Sequence, residues 1–187
     1  KGDDLEKQAS YHLKIAKYYD KQPEQQQSVI KQLELAIEKQ PENSEVWLQL
    51  AEYYIKQQQY LSANELLNKT IRKFPDKKSL VNRVYLQQQE IAKILGDEQE
   101  ELNCLTKLFD NNLREPALLQ RYIDLLKTNK QFSDLVVIYE KLAIEDSNTQ
   151  TDYWLHAVKI YHQINEISRA VELCDKIIAL GDKNSFE

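Results

Sequence analysis

Trp47 and Trp154 each open the same long series of residues, and that coincidence limits the fold more than any other feature of the chain. Counting from Trp47, Leu50 stands at +3, Ala51 at +4, Tyr54 at +7 and Tyr60 at +13, followed by Ala63 at +16, Leu67 at +20, Thr70 at +23 and Pro75 at +28. Counting from Trp154, the same places hold Ala157, Val158, Tyr161, Ile167, Ala170, Cys174 and Ile177, with Asp182 where the proline stood. One amphipathic helix explains spacings of three, four and seven. Agreement that continues to +28 requires two helices and their turn to recur as a unit.

The pattern continues with substitutions. Leu119 leads Tyr122, Ile123, Leu126, Phe132, Leu135, Tyr139 and Leu142. Val81 leads Val84 and Tyr85, but bringing Leu105 and Leu108 into line needs about four extra residues around "QEIAKILGDEQ", one helical turn. Near the N-terminus, "IAKYYDKQ" (15–22) mirrors "LAEYYIKQ" (50–57). These residues resemble the tetratricopeptide repeat, a helix–turn–helix unit patterned on Trp, Leu-Gly, Tyr, then Ala, Phe, Ala and Pro. The resemblance covers residues 9–182 as five units, about 8–42, 43–76, 77–114, 115–149 and 150–184, in a single repeat domain over 1–187. None has glycine after the Leu position; Ala16, Ala51, Tyr85, Ile123 and Val158 stand there. That position lets paired helices approach closely, so Tyr85 implies a wider or shifted contact in the third unit.

The resemblance implies an all-α fold, a right-handed superhelical solenoid whose units bury their apolar faces against neighbours and enclose a concave groove. Helices are expected over about 4–21, 24–39, 44–57, 60–73, 78–95, 98–111, 115–129, 132–145, 151–164 and 167–180. Pro41 and Pro75 follow helix ends, Ser44 suits an N-cap, and Gly96 and Gly181 suit helix termination. Three glycines and four prolines leave few turn residues for strands, which agrees with an all-helical chain.

Little in the sequence points to chemistry. The three histidines, His12, His156 and His162, form no metal-binding spacing, and the glycines form no phosphate loop. Cys104 and Cys174 are expected as small core residues. No catalytic residue, cofactor or metal is expected, and the chain reads as a non-enzyme. The net charge of −5 argues against general nucleic-acid binding, although residues 1–93 balance at +2 and 94–187 at −7. The longest aliphatic runs, "LVVI" and "IIAL", are too short to span a membrane. The Gln-, Lys- and Asn-rich style suits a soluble bacterial protein of cytoplasm or periplasm. Tyr19, Tyr54, Tyr60, Tyr139 and Tyr161 fall on packing offsets and are expected to fill core.

In this family the first helix of each unit lines the groove, including the side chain two residues after the Trp position. That place holds Lys14, Gln49, Arg83, Arg121 and His156, a set without an acid, with Glu52, Asn82 and Asp124 as mixed neighbours. The set suits a carboxylate-bearing peptide or helix of a protein partner. The clamp of chaperone-binding relatives is absent, since Leu48 and Glu52 precede Arg83, and Ala117 accompanies Arg121. An interaction scaffold is the first expectation. A structural segment of a longer solenoid, or an assembly subunit forming a homo-oligomer through an uncapped last helix bearing Ile177, Ile178 and Leu180, is the second. A substrate-binding arm of a multidomain enzyme is the third.

Overall fold

A computed structural model describes residues 2–184, and every regular element among them is helical. The chain divides into two compact units, Lys1–Arg114 and Glu115–Glu187. The first carries α1 (Gly2–Tyr19), α2 (Gln26–Lys39), α3 (Ser44–Lys56), α4 (Tyr60–Lys73), α5 (Lys78–Leu95) and α6 (Glu98–Asp110), with a short 3-10 turn at Pro23–Gln25. The second carries α7 (Pro116–Thr128), α8 (Phe132–Glu145), α9 (Gln150–Gln163) and α10 (Ile167–Asn184). Within each unit, helices adjacent in sequence pack against one another.

In the first unit the apolar offsets become two joined cores. Ala16, Val29, Ile30, Leu33, Ala36, Val46, Leu50 and Tyr53 close α1, α2 and α3 together. Leu48, Ala51, Ala63, Leu67, Phe74, Leu80, Val84 and Ile91 do the same for α3, α4 and α5. Helix α3 contributes to both, because its residues are apolar on two sides. Ala51 and Ala63 are fully buried where α3 meets α4, and small side chains there permit close approach. Trp47 is half-buried, meets Phe74 edge-on at 6.1 Å and donates from Nε1 to the Pro41 carbonyl at 3.1 Å. Of the packing tyrosines, Tyr139 and Tyr161 are buried and Tyr19, Tyr54 and Tyr60 half-buried.

The reversals explain how so few glycines suffice. Gln58, Gly96, Asn112, Lys130 and Asn165 all have left-handed φ, between 56° and 71°. At each, the next residue's N–H returns to a carbonyl five residues earlier: Gln59 to Tyr54, Asp97 to Ala92, Leu113 to Leu108, Gln131 to Leu126 and Glu166 to Tyr161, at 2.8–3.0 Å. This is the Schellman helix stop. Only Gly96 adopts it without a Cβ penalty.

Three expectations are corrected. Gly181 lies inside α10 and does not end it, since no left-handed turn or reversal forms there. Ser44 is the first residue of α3, and Asn43 occupies the cap without a side-chain capping bond, its amide donating instead to Gln40 Oε1 at 3.1 Å. Cys174, on α10, is half-buried, whereas Cys104 is buried as expected. The tail at 185–187 lies outside the described residues.

Candidate functional site

Three of the eight candidate groove residues come together in the first unit. Lys14 of α1 and Gln49 and Glu52 of α3 line a cavity of about 540 Å³. Its floor is apolar, made by Leu13, Ala16, Val29 and Leu33, the last three being core residues. The periodicity of each helix continues the wall: Lys17 stands one turn beyond Lys14, and Tyr53 and Lys56 one and two turns beyond Gln49. Sequence reading missed these three, along with Asp20. It took one place per unit, whereas helical spacing alone puts several residues of each helix on the same face.

Asp20 closes one end of this cavity. It accepts from Lys56 Nζ at 2.7 Å, and the Lys56 ammonium also sits 5.7 Å from the Tyr53 ring. The hydrogen bond to Asp20 raises the Lys56 pKa, and burial is the first cause raising that of Tyr53, with Asp20 adding to it. Both groups therefore keep their protons through neutral pH, Lys56 as a cation and Tyr53 as a neutral phenol. Lys14 and Lys17 belong to no ion pair among the described residues. Lys14 Nζ lies 5.8 Å from the Tyr11 ring.

The other five candidates are placed differently. Arg83 Nη1 donates to both carboxylate oxygens of Glu45, at 2.6 and 2.8 Å, and lines a smaller recess with Lys77 and Lys78. It joins α5 to α3. Glu52 accepts from Gln87 Nε2 at 3.1 Å, a second link between those helices. Asn82 is half-buried and accepts from Asn111 beyond α6 at 2.7 Å. In the second unit Asp124 accepts from Gln120 on its own helix at 2.8 Å, and Arg121 is half-buried. The His156 ring stacks on Tyr139, with centroids 5.1 Å apart and planes inclined by 17°. Among the described residues no group of three or more His, Cys, Asp or Glu side chains is arranged to hold a metal ion. No helix among them is long and apolar enough to cross a membrane.

Comparison with known proteins follows the same lines. A tetratricopeptide-repeat family model matches residues 33–63, from the middle of α2 through α3 into α4. No curated protein matches the chain. Among solved structures, MamA protein aligns with a TM-score of 0.53 at 14% identity, covering 95% of this chain and 94% of that one. A MamA mutant aligns at 0.51 and 17% identity, covering 94% and 93%. At such identities the alignments speak to fold. Residues 33–63 thus match the tetratricopeptide repeat itself, and the chain as a whole shares the helical-repeat fold of these structures.

Proposed function

We propose that the chain is a protein-interaction scaffold holding a peptide segment of a partner in the cavity between α1 and α3. The observation that carries this reading is the pairing of an apolar floor with two lysines, Lys14 and Lys17, that have no ion-pair partner among the described residues. A segment with an apolar side chain for the floor and a nearby carboxylate for the lysines matches it, and Gln49 can both donate to and accept from the segment's backbone. Exposed ammonium–carboxylate pairs contribute about 0.2–1 kcal/mol each. A micromolar complex needs about −8 kcal/mol, so burial at the floor supplies most of the affinity.

Selection of peptides from a random displayed library on the purified chain tests the reading. Enriched peptides should share an apolar residue near an acidic one, and Lys14→Glu with Lys17→Glu should abolish their capture while circular dichroism stays unchanged. Capture that survives this double variant would overturn the assignment. Because Arg83 is already held by Glu45, substituting it is expected to disturb the α3–α5 link as much as any ligand.

Assembly through an uncovered helix is the second reading. Ile167, Val171 and Ile178 of α10 are 47%, 53% and 61% exposed and fall on one stripe at spacings of four and seven. If this stripe mediates self-association, Val171→Glu with Ile178→Glu will convert a concentration-dependent sedimentation profile to that of a monomer. A wild-type chain that sediments as a monomer at every concentration refutes it.

A further inference from the structure

A second cavity, of about 560 Å³, lies between α2 and α4, on the side of α3 turned away from the first. Counting 100° per residue, Trp47, Leu50 and Tyr54 point about 160° around α3 from Gln49, Glu52 and Lys56. Those three residues, with Ile37 of α2 and Leu66 of α4, make an apolar and partly aromatic floor. The rim has the opposite charge to the first cavity's free lysines. Glu34 and Glu38 stand one turn apart on α2, and Glu65 faces them from α4 with Lys69 one turn further. None of these four belongs to an ion pair among the described residues. Among the described residues, Glu34 accepts only a long bond, 3.4 Å, from the Tyr54 hydroxyl.

We propose that this cavity is a second docking site, one that receives an arginine or lysine side chain from a basic amphipathic helix of a protein partner. A long basic side chain is the occupant whose chemistry matches both parts of the cavity. Its methylene stem covers apolar floor while its charged head stays at the wet rim. There the head meets carboxylates from two helices, and the faces of Trp47 and Tyr54 offer further attraction to a cation. A solvated acidic helix face would have the carboxylates without the recess or the half-buried Trp47 and Tyr54 beneath them. The site is independent of the α1–α3 reading and goes beyond it: a single helix, α3, would present basic-seeking and acid-seeking cavities on its two sides.

The test uses Trp47 as reporter in a Trp154→Phe chain. The probe is a twelve-residue helical peptide with arginine and leucine on one face, and its control replaces each arginine by glutamate. Saturable change in Trp47 emission with the arginine peptide alone is the expected result. Glu38→Lys with Glu65→Lys should weaken binding at least tenfold, and Glu38→Gln with Glu65→Gln should weaken it less but measurably. Glu90→Lys with Glu172→Lys makes the same change in net charge elsewhere and should alter binding less than twofold. The proposal fails if the arginine peptide gives no saturable change, if the glutamate peptide binds equally, or if the Glu90 and Glu172 control loses as much as the cavity variants.

Discussion

The hairpin α3–α4 and its neighbour α5–α6 solve the same packing problem by different means. In the first, Leu48, Ala51, Ala63 and Leu67 are fully buried in one apolar core. In the second, Tyr85 stands where Ala51 stood, and α5 has 18 residues against the 13 of α3. The added length carries polar groups inward. Gln88 Nε2 donates to Asn68 on α4 at 3.1 Å, and Gln89 Nε2 to Glu101 on α6 at 2.7 Å, with Gln88, Gln89 and Glu101 all buried. Small residues let the first hairpin close by shape alone. The second has a longer first helix, whose buried glutamines fasten it to α4 and α6 with directional hydrogen bonds, which hold one register and are costly to leave unmade.

The sharpest test of this contrast is cavity formation in the apolar junction. Leu67→Ala should cost about 2–5 kcal/mol, read as a lowered midpoint in urea. Gln89→Leu should cost less, about 1–3 kcal/mol, through the lost hydrogen bond to the buried Glu101 carboxylate. If Gln89→Leu proves neutral, the hydrogen bond is incidental and the two hairpins are held alike.

Turn chemistry gives a smaller effect of opposite sign. Gln58 ends α3 in the left-handed conformation that Gly96 adopts after α5. Gln58→Gly should therefore stabilise the chain by about 0.5–1 kcal/mol, partly offset by greater freedom of the unfolded chain. Gly96→Ala should destabilise for the same reason: a Cβ there meets nothing within 4 Å, so the cost is backbone strain and not collision.

At neutral pH the smallest effect belongs to Cys104. Burial first, then the neighbouring Glu100, pushes its thiol from 9.0 up to about 12. Folded and unfolded chains both keep the proton below about 9, so no pH dependence arises there. As pH rises from about 9 towards 12 only the unfolded chain ionises, and the stabilising preference for the protonated thiol is lost. Alkylation with iodoacetamide at pH 8 should label half-buried Cys174 and spare Cys104 until urea unfolds the chain. Equal labelling of both in the native protein would show that the α5–α6 interior is open.

Much of the fold was legible because packing residues repeat. Helix ends fall within two residues of expectation for most elements, and the extra turn of α5 was visible as an interruption of the offsets. Gly96 could be read as a stop, whereas Gly181 could not be told from it, because a glycine's backbone freedom does not say whether the helix beyond it has something to pack against. The site was less legible. Lys14, Gln49 and Glu52 share a cavity as their place in the repeat suggested, but Arg83 is held by Glu45 and Asn82 by Asn111. Those partners lie 38 and 29 residues away in sequence, and repeat register fixes which faces meet without fixing which polar side chains find one another.

The side-chain-bearing reversals at Gln58 and Lys130 have a consequence for how such a chain can change over time. Both residues are exposed, and neither lines the α1–α3 or α2–α4 cavity. Each is a place where a single substitution can shift thermal endurance while the recognising faces keep their composition. Durability and binding preference can thus drift separately, one at the loop tips and the other along the helices, and a mutation that weakens a core can be compensated without rewriting what the protein recognises.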